Sequence, residues 1–304
     1  MTIAATAYKD AYETSLRVNW KISDIIGGEK RLDFSKRFLP ESIVGAEELT
    51  FLSEGEQLLL NHIRSHEYLS MFGNVEEFIL PFVLDHARDY LSADLDQTKA
   101  LMNFAGEEMK HIQLFRRFQG QFEKGFGTRC RVVGPPDILG AAVLAHHPLA
   151  VALIVLHVEW MTQRHYVESA TAKETLDPLF MSLLKHHWLE EAQHAKLDTL
   201  MLETIAAQCD AATIERGFAE YVHIVEILDE GLVLQVELNL EALMVAARRQ
   251  LSEPELAGYR TRQTRAIRAT YLGTGLTHPH VLATLERLAP HLRTRAEAIA
   301  PKYC

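Results

Sequence analysis

The chain has 304 residues, 48% hydrophobic and 24% charged, with a net charge of −10. That is an ordinary globular composition with no apolar run near the ~20 residues a membrane span requires, and its acidic balance disfavours nonspecific attraction to nucleic acid or anionic lipid. Cys130, Cys209 and Cys304 are widely spaced and form no paired motif, so the sequence offers neither a disulfide framework nor a thiolate metal site, and a metal would have to be held by oxygen and nitrogen.

The first residues, "MTIAATAYKDAYETS", lack a basic start followed by an apolar core, so a cytoplasmic location is expected. Residues 1–50 are mixed and predict no defined element. Beyond them almost every long segment has a period of 3.6, and the expected class is all-α. Ser53 and Glu56 form a capping box opening a helix over about 54–91, with a kink expected at Pro81. A second helix is expected over about 96–123, followed by the break "GFGTRCRVVGPPD" and the short "ILGAAVLAHH". Pro148 starts a third, to about 171; Asp177 as N-cap and Pro178 as first helical residue start a fourth, to about 208. An amphipathic stretch to about 250, a helix from Ser252 to about 272 and a last one over about 279–299 complete the chain. No polar, flexible linker divides it. One domain over 1–304 is expected, with an N-terminal extension over 1–50, a bundle core at about 54–208 and C-terminal helices at about 211–299. The basic cluster Arg260, Arg262, Arg265 and Arg268 reads as a solvated helix face.

The chemistry lies in "HHWLEEAQH", residues 186–194. Glu191 and His194 are three apart and share a helix face, His187 lies one turn before Glu191, and His186 and Glu190 are expected to point elsewhere. "GEEMKH" supplies a second such pair, Glu108 and His111. A carboxylate-bridged dinuclear site in a four-helix bundle takes a Glu-x-x-His from each of two helices and one Glu from each of the other two. Glu159, within the apolar "LIVLHVEWMTQ", stands 32 residues before Glu191, and Glu76 stands 32 before Glu108. Adding 83 to 76, 108 and 111 gives 159, 191 and 194, so two helical hairpins carry the same side chains at the same spacing. Glu76 shares its face with Leu69, Phe72, Ile79 and Val83, whereas Glu77 falls with Glu67, Asn74, Pro81, Asp85 and Arg88 on a face that reads as wet. A carboxylate on an apolar stripe is costly unless paired or bound to metal, which selects Glu76. Oxygen-rich ligation with some imidazole and no thiolate suits iron, with manganese or a mixed Mn/Fe pair compatible with the same donors.

These residues resemble the ferritin-like di-iron carboxylate proteins. With His187 added, the His-x-x-x-Glu-x-x-His run is similar to that of the p-aminobenzoate N-oxygenase (arylamine N-oxygenase) family, over roughly residues 60–208. The resemblance implies a ferritin-like four-helix bundle binding two iron ions through Glu76, Glu108, His111, Glu159, His187, Glu191 and His194, and an oxygenase that uses O2 on a small organic substrate such as an arylamine. A histidine at position 187 could alternatively hydrogen-bond a neighbouring carboxylate without touching metal. Thr162 and Gln163 could line a cavity or make ordinary helix contacts. The alternative reading is an iron-binding ferroxidase, against which stand the 95 or so residues after the fourth helix. A radical-generating subunit is disfavoured, because Phe115 stands where that family commonly has a tyrosine. "YLGTGL" at 271–276 is a poor dinucleotide fingerprint, so a separate electron donor is expected. The remaining expected partners are O2 and substrate, with a homodimer as an option, and no nucleic acid or membrane.

Overall fold

The computed structural model describes residues 3–92 and 94–304, and among these every regular element is helical. Four long helices form two antiparallel pairs: α4 (Glu54–Arg88) on α5 (Leu95–Phe126), and α7 (Pro148–Ala170) on α8 (Pro178–Ala206). Before them come α1 (Ile3–Ser15), α2 (Ile22–Ile25) and α3 (Glu41–Val44), and α6 (Pro136–Leu144) lies between the pairs. After them come α9 (Ala211–Ala247), α10 (Glu253–Arg268), α11 (Thr274–Leu276), α12 (Pro279–Leu288) and α13 (Pro290–Ile299).

The starts of the long helices follow from their capping chemistry. The Ser53–Glu56 box closes in both directions, with the Ser53 amide donating to Glu56 at 2.7 Å and the Glu56 amide to Ser53 Oγ at 3.3 Å. Asp94, Asp177 and Asp210 accept from the first free amides of α5, α8 and α9. Residues Leu149–Glu159 of α7 are buried on every side, because α8 and α9 cover it and other helices approach its remaining faces. Any charged group in that run is enclosed. The helix α1 lies across α5 and α8 and covers the outer seam between the pairs.

Several expectations need correction. The helix expected from Ser252 to about 272 is α-helical only to Arg268 and continues as a π-helical turn, Ala269–Gly273, into α11. Here the chain presses on α7: a Cβ on Gly275 would come within 2.1 Å of the His157 ring. That ring is pinned by Tyr221 Oη at 2.9 Å and the Tyr271 carbonyl at 3.2 Å. Burial pushes His157 down to about 4, so Tyr221 donates to its bare Nδ1 and Nε2 donates to the carbonyl. The expected 279–299 helix is two, because Pro290 forces Ala289 into extended backbone at φ −163°, ψ 129°.

Glu67, assigned to the wet face, is buried. It accepts from Arg64 Nη1 at 2.5 and 2.6 Å and from Asn239 of α9, while Arg64 also donates to the Ile43 carbonyl. Helix α9 lies over that part of α4, a covering that periodicity within α4 cannot reveal. All four members of the arginine cluster are matched by acids: Arg260 by Glu237, Arg262 and Arg265 by Glu48, and Arg268 by Asp229. Among the described residues, no helix is long and apolar enough to cross a membrane.

Candidate metal centre

Where the two helix pairs face each other, α4, α5, α7 and α8 turn acidic and imidazole groups into one buried space. Two overlapping groups result: Glu76, His111, His187 and Glu191, and Glu108, His111, Glu191 and His194. Within each group the potential donor atoms all lie within 4.8 Å of one another, and every residue is buried.

Glu191 belongs to both groups through different oxygens. Its Oε1 lies 2.5 Å from His187 Nε2 and 3.0 Å from His111 Nδ1, and its Oε2 lies 2.8 Å from His194 Nδ1. Glu108 also spans the gap, with Oε1 2.9 Å from His194 Nδ1 and Oε2 3.9 Å from His111 Nδ1. The two glutamates thus occupy bridging positions. Glu76 is terminal at the His111 end, 2.9 Å from His187 Nε2 and 3.4 Å from His111 Nδ1. Glu159 is buried beside Glu191, with its Oε2 lacking any hydrogen-bond partner. Glu77, by contrast, leaves the site and pairs with Arg116 at 2.5 Å. His187 joins the Glu76 end as a member of the group itself. Thr162 and Gln163 make helix contacts, to the Val158 and Trp188 carbonyls.

The electrostatics are those of groups awaiting a counter-charge. Burial and the nearby carboxylates Glu76 and Glu191 hold Glu108 and Glu159, respectively, well above the usual range. Burial opposes charge on His111 and His194, yet Glu76 and Glu191 at the first and Glu191 and Glu108 at the second raise both well above an ordinary histidine. Burial is the largest influence on Glu76 and would raise it, but the charge of His111 together with hydrogen bonds from Glu108, His111 and His187 outweighs it and draws that carboxyl down to about 2. Glu76 Oε2, both oxygens of Glu108, His111 Nδ1 and Glu159 Oε2 are buried without a hydrogen-bond partner. Enclosed polar atoms left this way are costly. Four carboxylates would carry four negative charges, which two divalent cations neutralise, so the donor set and its orphaned atoms fit a dinuclear cation site.

Sequence reasoning missed the groups behind the donors. Glu190 was expected to point away; instead it is fully buried, and His111 Nε2 donates to its Oε2 at 2.8 Å while Lys110 pairs with its other oxygen. Glu107 does the same on the opposite side, accepting from His194 Nε2 at 3.0 Å. Each histidine is therefore held through Nε2 by the glutamate preceding the bridging glutamate of the other hairpin, which leaves Nδ1 for the site and fixes the tautomer a cation needs. The signal was present, since the same offset of 83 carries Glu107 onto Glu190. Helix-face reasoning failed because α5 and α8 flank each other, so a residue turned off the central axis meets the neighbouring helix and not water.

Trp20, in the unassigned N-terminal segment, stacks on His111 at 6.1 Å and 9°, with Lys110 Nζ 3.9 Å above its ring. Phe104 lies 4.1 Å from the His194 ring, and Phe72 and Phe115 meet His187 edge-on at 5.9 and 5.0 Å. The cluster is thereby walled by aromatic side chains.

No protein-family model matches the chain, and no curated protein matches it. Among solved structures, 27 chains match. One is an R2-like ligand-binding oxidase variant aerobically reconstituted with a Mn/Fe cofactor, 16% identical, covering 86% of this chain and 93% of that one, with a TM-score of 0.44. Another is a variant of such an oxidase with an Fe/Fe cofactor, 14% identical, covering 88% of this chain and 93% of that one, at 0.45. Likeness at this level carries no residue roles across, and the reading below stands on the chain's own geometry.

Proposed function

We propose that the chain is a non-haem di-iron oxygenase that oxidises a small organic substrate with O2, arylamines being the first class to test. The observation that carries this reading is the pair of overlapping Glu/His groups whose buried donor atoms lack protein partners. Glu76, Glu108, His111, Glu159, His187, Glu191 and His194 would hold the two ions, with Glu76, His111 and His187 at one end of the cluster, Glu159 and His194 at the other, and Glu108 and Glu191 between them. When bound, the iron pair supplies electrons for O2 reduction, which none of these side chains can do. Manganese in one or both positions is compatible with the same donors.

The protein's own groups do the rest. Glu107 and Glu190 hold the imidazoles in the tautomer that presents Nδ1. Phe72, Phe104, Phe115 and Trp20 exclude water, and an apolar aromatic wall suits a flat aromatic substrate better than a charged one. A separate electron donor is part of the proposal, because the sequence offers no dinucleotide fingerprint. The test is to load purified protein with Fe(II) without oxygen, then add O2 with and without p-aminobenzoate, measuring O2 consumed and hydroxylamine or nitro product. O2 consumption with no amine oxidation, with or without substrate, would favour the ferroxidase alternative.

A further inference from the structure

The offset of 83 makes a residue-by-residue comparison of the hairpins possible, and at two positions beside the donors it sets a metal-capable residue against a phenylalanine. Phe104 corresponds to His187 and Phe115 to Asp198. Both phenylalanines are fully buried, and both replacements on α8 are metal-capable. His187 belongs to the Glu76 end. Asp198 stands one turn past His194, on the helix face that also carries His187 and Glu191, and so at the opposite end.

Asp198 is 1% exposed, and neither of its carboxylate oxygens has a hydrogen-bond partner. No lysine or arginine pairs with it among the described residues; the groups its charge meets are His194, Glu191, Glu159 and Tyr8. Tyr8 of α1 faces Thr204, Gln97, Tyr90 and Asp198, and its buried hydroxyl lies against Thr204 and Gln97. A string of buried polar groups therefore leads outward from the His194 end along the seam that α1 covers.

It leads toward a cavity of about 620 Å³ at that end of the bundle, lined by Tyr90 and Ile205. Along α8, Ile205 is seven residues beyond Asp198, about 10 Å of helix rise. Asp85, His86, Asp89, His146, His147 and Cys209 also line this cavity, with Arg216 among them and Asp85 paired with Arg88, so Asp89 and the histidines are the groups of this vestibule that a divalent cation would meet.

Resting on the reading of the Glu/His cluster as a metal centre, we propose that Asp198 is a cation-binding carboxylate outside the centre itself, the inner station of a metal-uptake route running from this vestibule past Tyr8 and Gln97 to the Glu159–His194 end. A desolvated carboxylate with free oxygens is the group that can replace lost hydration water around a cation crossing the packed interior. Placed one turn from His194, it can pass the ion on without a change in the fold.

The experiment follows uptake of Mn(II) or Co(II) by apo-protein without oxygen, reading rate and final stoichiometry. D198N and D198L should slow uptake at least ~10-fold, the lower end of what partners outside the ligand set contribute to metal binding. Apo-protein melting should be unchanged or raised, since each variant removes a buried carboxylate that has no partner. D89N in the vestibule should slow uptake less, with an effect that shrinks as salt rises. Wild-type uptake rates in both Asp198 variants would overturn the proposal, as would loss of helical structure in their apo forms, which would give Asp198 a folding role. If the wild-type chain takes up no metal, the reading of the centre itself fails, a result distinct from failure at Asp198 alone.

Discussion

The α4/α5 hairpin and the α7/α8 hairpin carry the same four site residues at the same spacing, yet differ in what surrounds them. Glu76, Glu107, Glu108 and His111 correspond to Glu159, Glu190, Glu191 and His194, and each histidine is held by the other hairpin's outer glutamate. The shared set defines two equivalent halves, and the reciprocal hydrogen bonds mean that neither half is complete alone. Where the first hairpin has Phe104 and Phe115, the second has His187 and Asp198. Symmetry supplies the place for two cations; its breaking makes the two places chemically different, with an extra imidazole at one end and a free carboxylate near the other.

The largest expected effect comes from removing a group common to both halves. Glu108→Ala or Glu191→Ala should lose metal from both positions, exceeding the ~10–100-fold affinity cost typical of groups outside the ligand set, as read by elemental analysis after loading and desalting. Retention of both metals in either variant would break the equivalence of the halves. Next, His187→Phe restores the repeat and should weaken the ion at the Glu76 end alone. One metal per chain at sub-saturating Mn(II), with wild-type helicity, is the expected result; two tightly held metals would place His187 outside the ligand set.

Smaller effects should follow from the reciprocal glutamates. Glu107→Gln and Glu190→Gln keep shape but remove the negative charge that holds Nε2–H, and each should cost ~10–100-fold in metal affinity. Similar losses in the two variants would sharpen the symmetry, and a loss in one alone would break it. Glu77→Ala should leave metal binding within error, because Glu77 is spent on Arg116 at the surface. For folding, the proposal of one domain predicts a single melting transition seen alike by circular dichroism and by tryptophan fluorescence. The fluorescence reports from Trp20 beside the first hairpin and from Trp160 and Trp188 in the second.

What was legible in the sequence followed from local rules. Ser53, Asp177, Pro148 and Pro178 mark helix starts that capping chemistry dictates, and the starts of the four long helices came within about a residue. The Glu76 group and the Glu159 group were legible because a periodic repeat places residues on faces whatever the tertiary arrangement. Glu67, Glu190 and Trp20 were not, because their environments are set by elements far away in sequence: α9 over Glu67, α5 beside Glu190, and an N-terminal segment with no period of its own over His111. Asp198 was hidden differently. It shows no motif, and only its correspondence with Phe115, together with its two oxygens lacking partners, makes it visible.

The central claim, that two hairpins present one dinuclear centre, is tested most directly by anomalous scattering at the iron edge from crystals of the Fe(II)-loaded protein. The account predicts two peaks ~3.5–4 Å apart between Glu108 and Glu191, one beside Glu76, His111 and His187 and the other beside Glu159 and His194. A single peak, or peaks away from these residues, would contradict it.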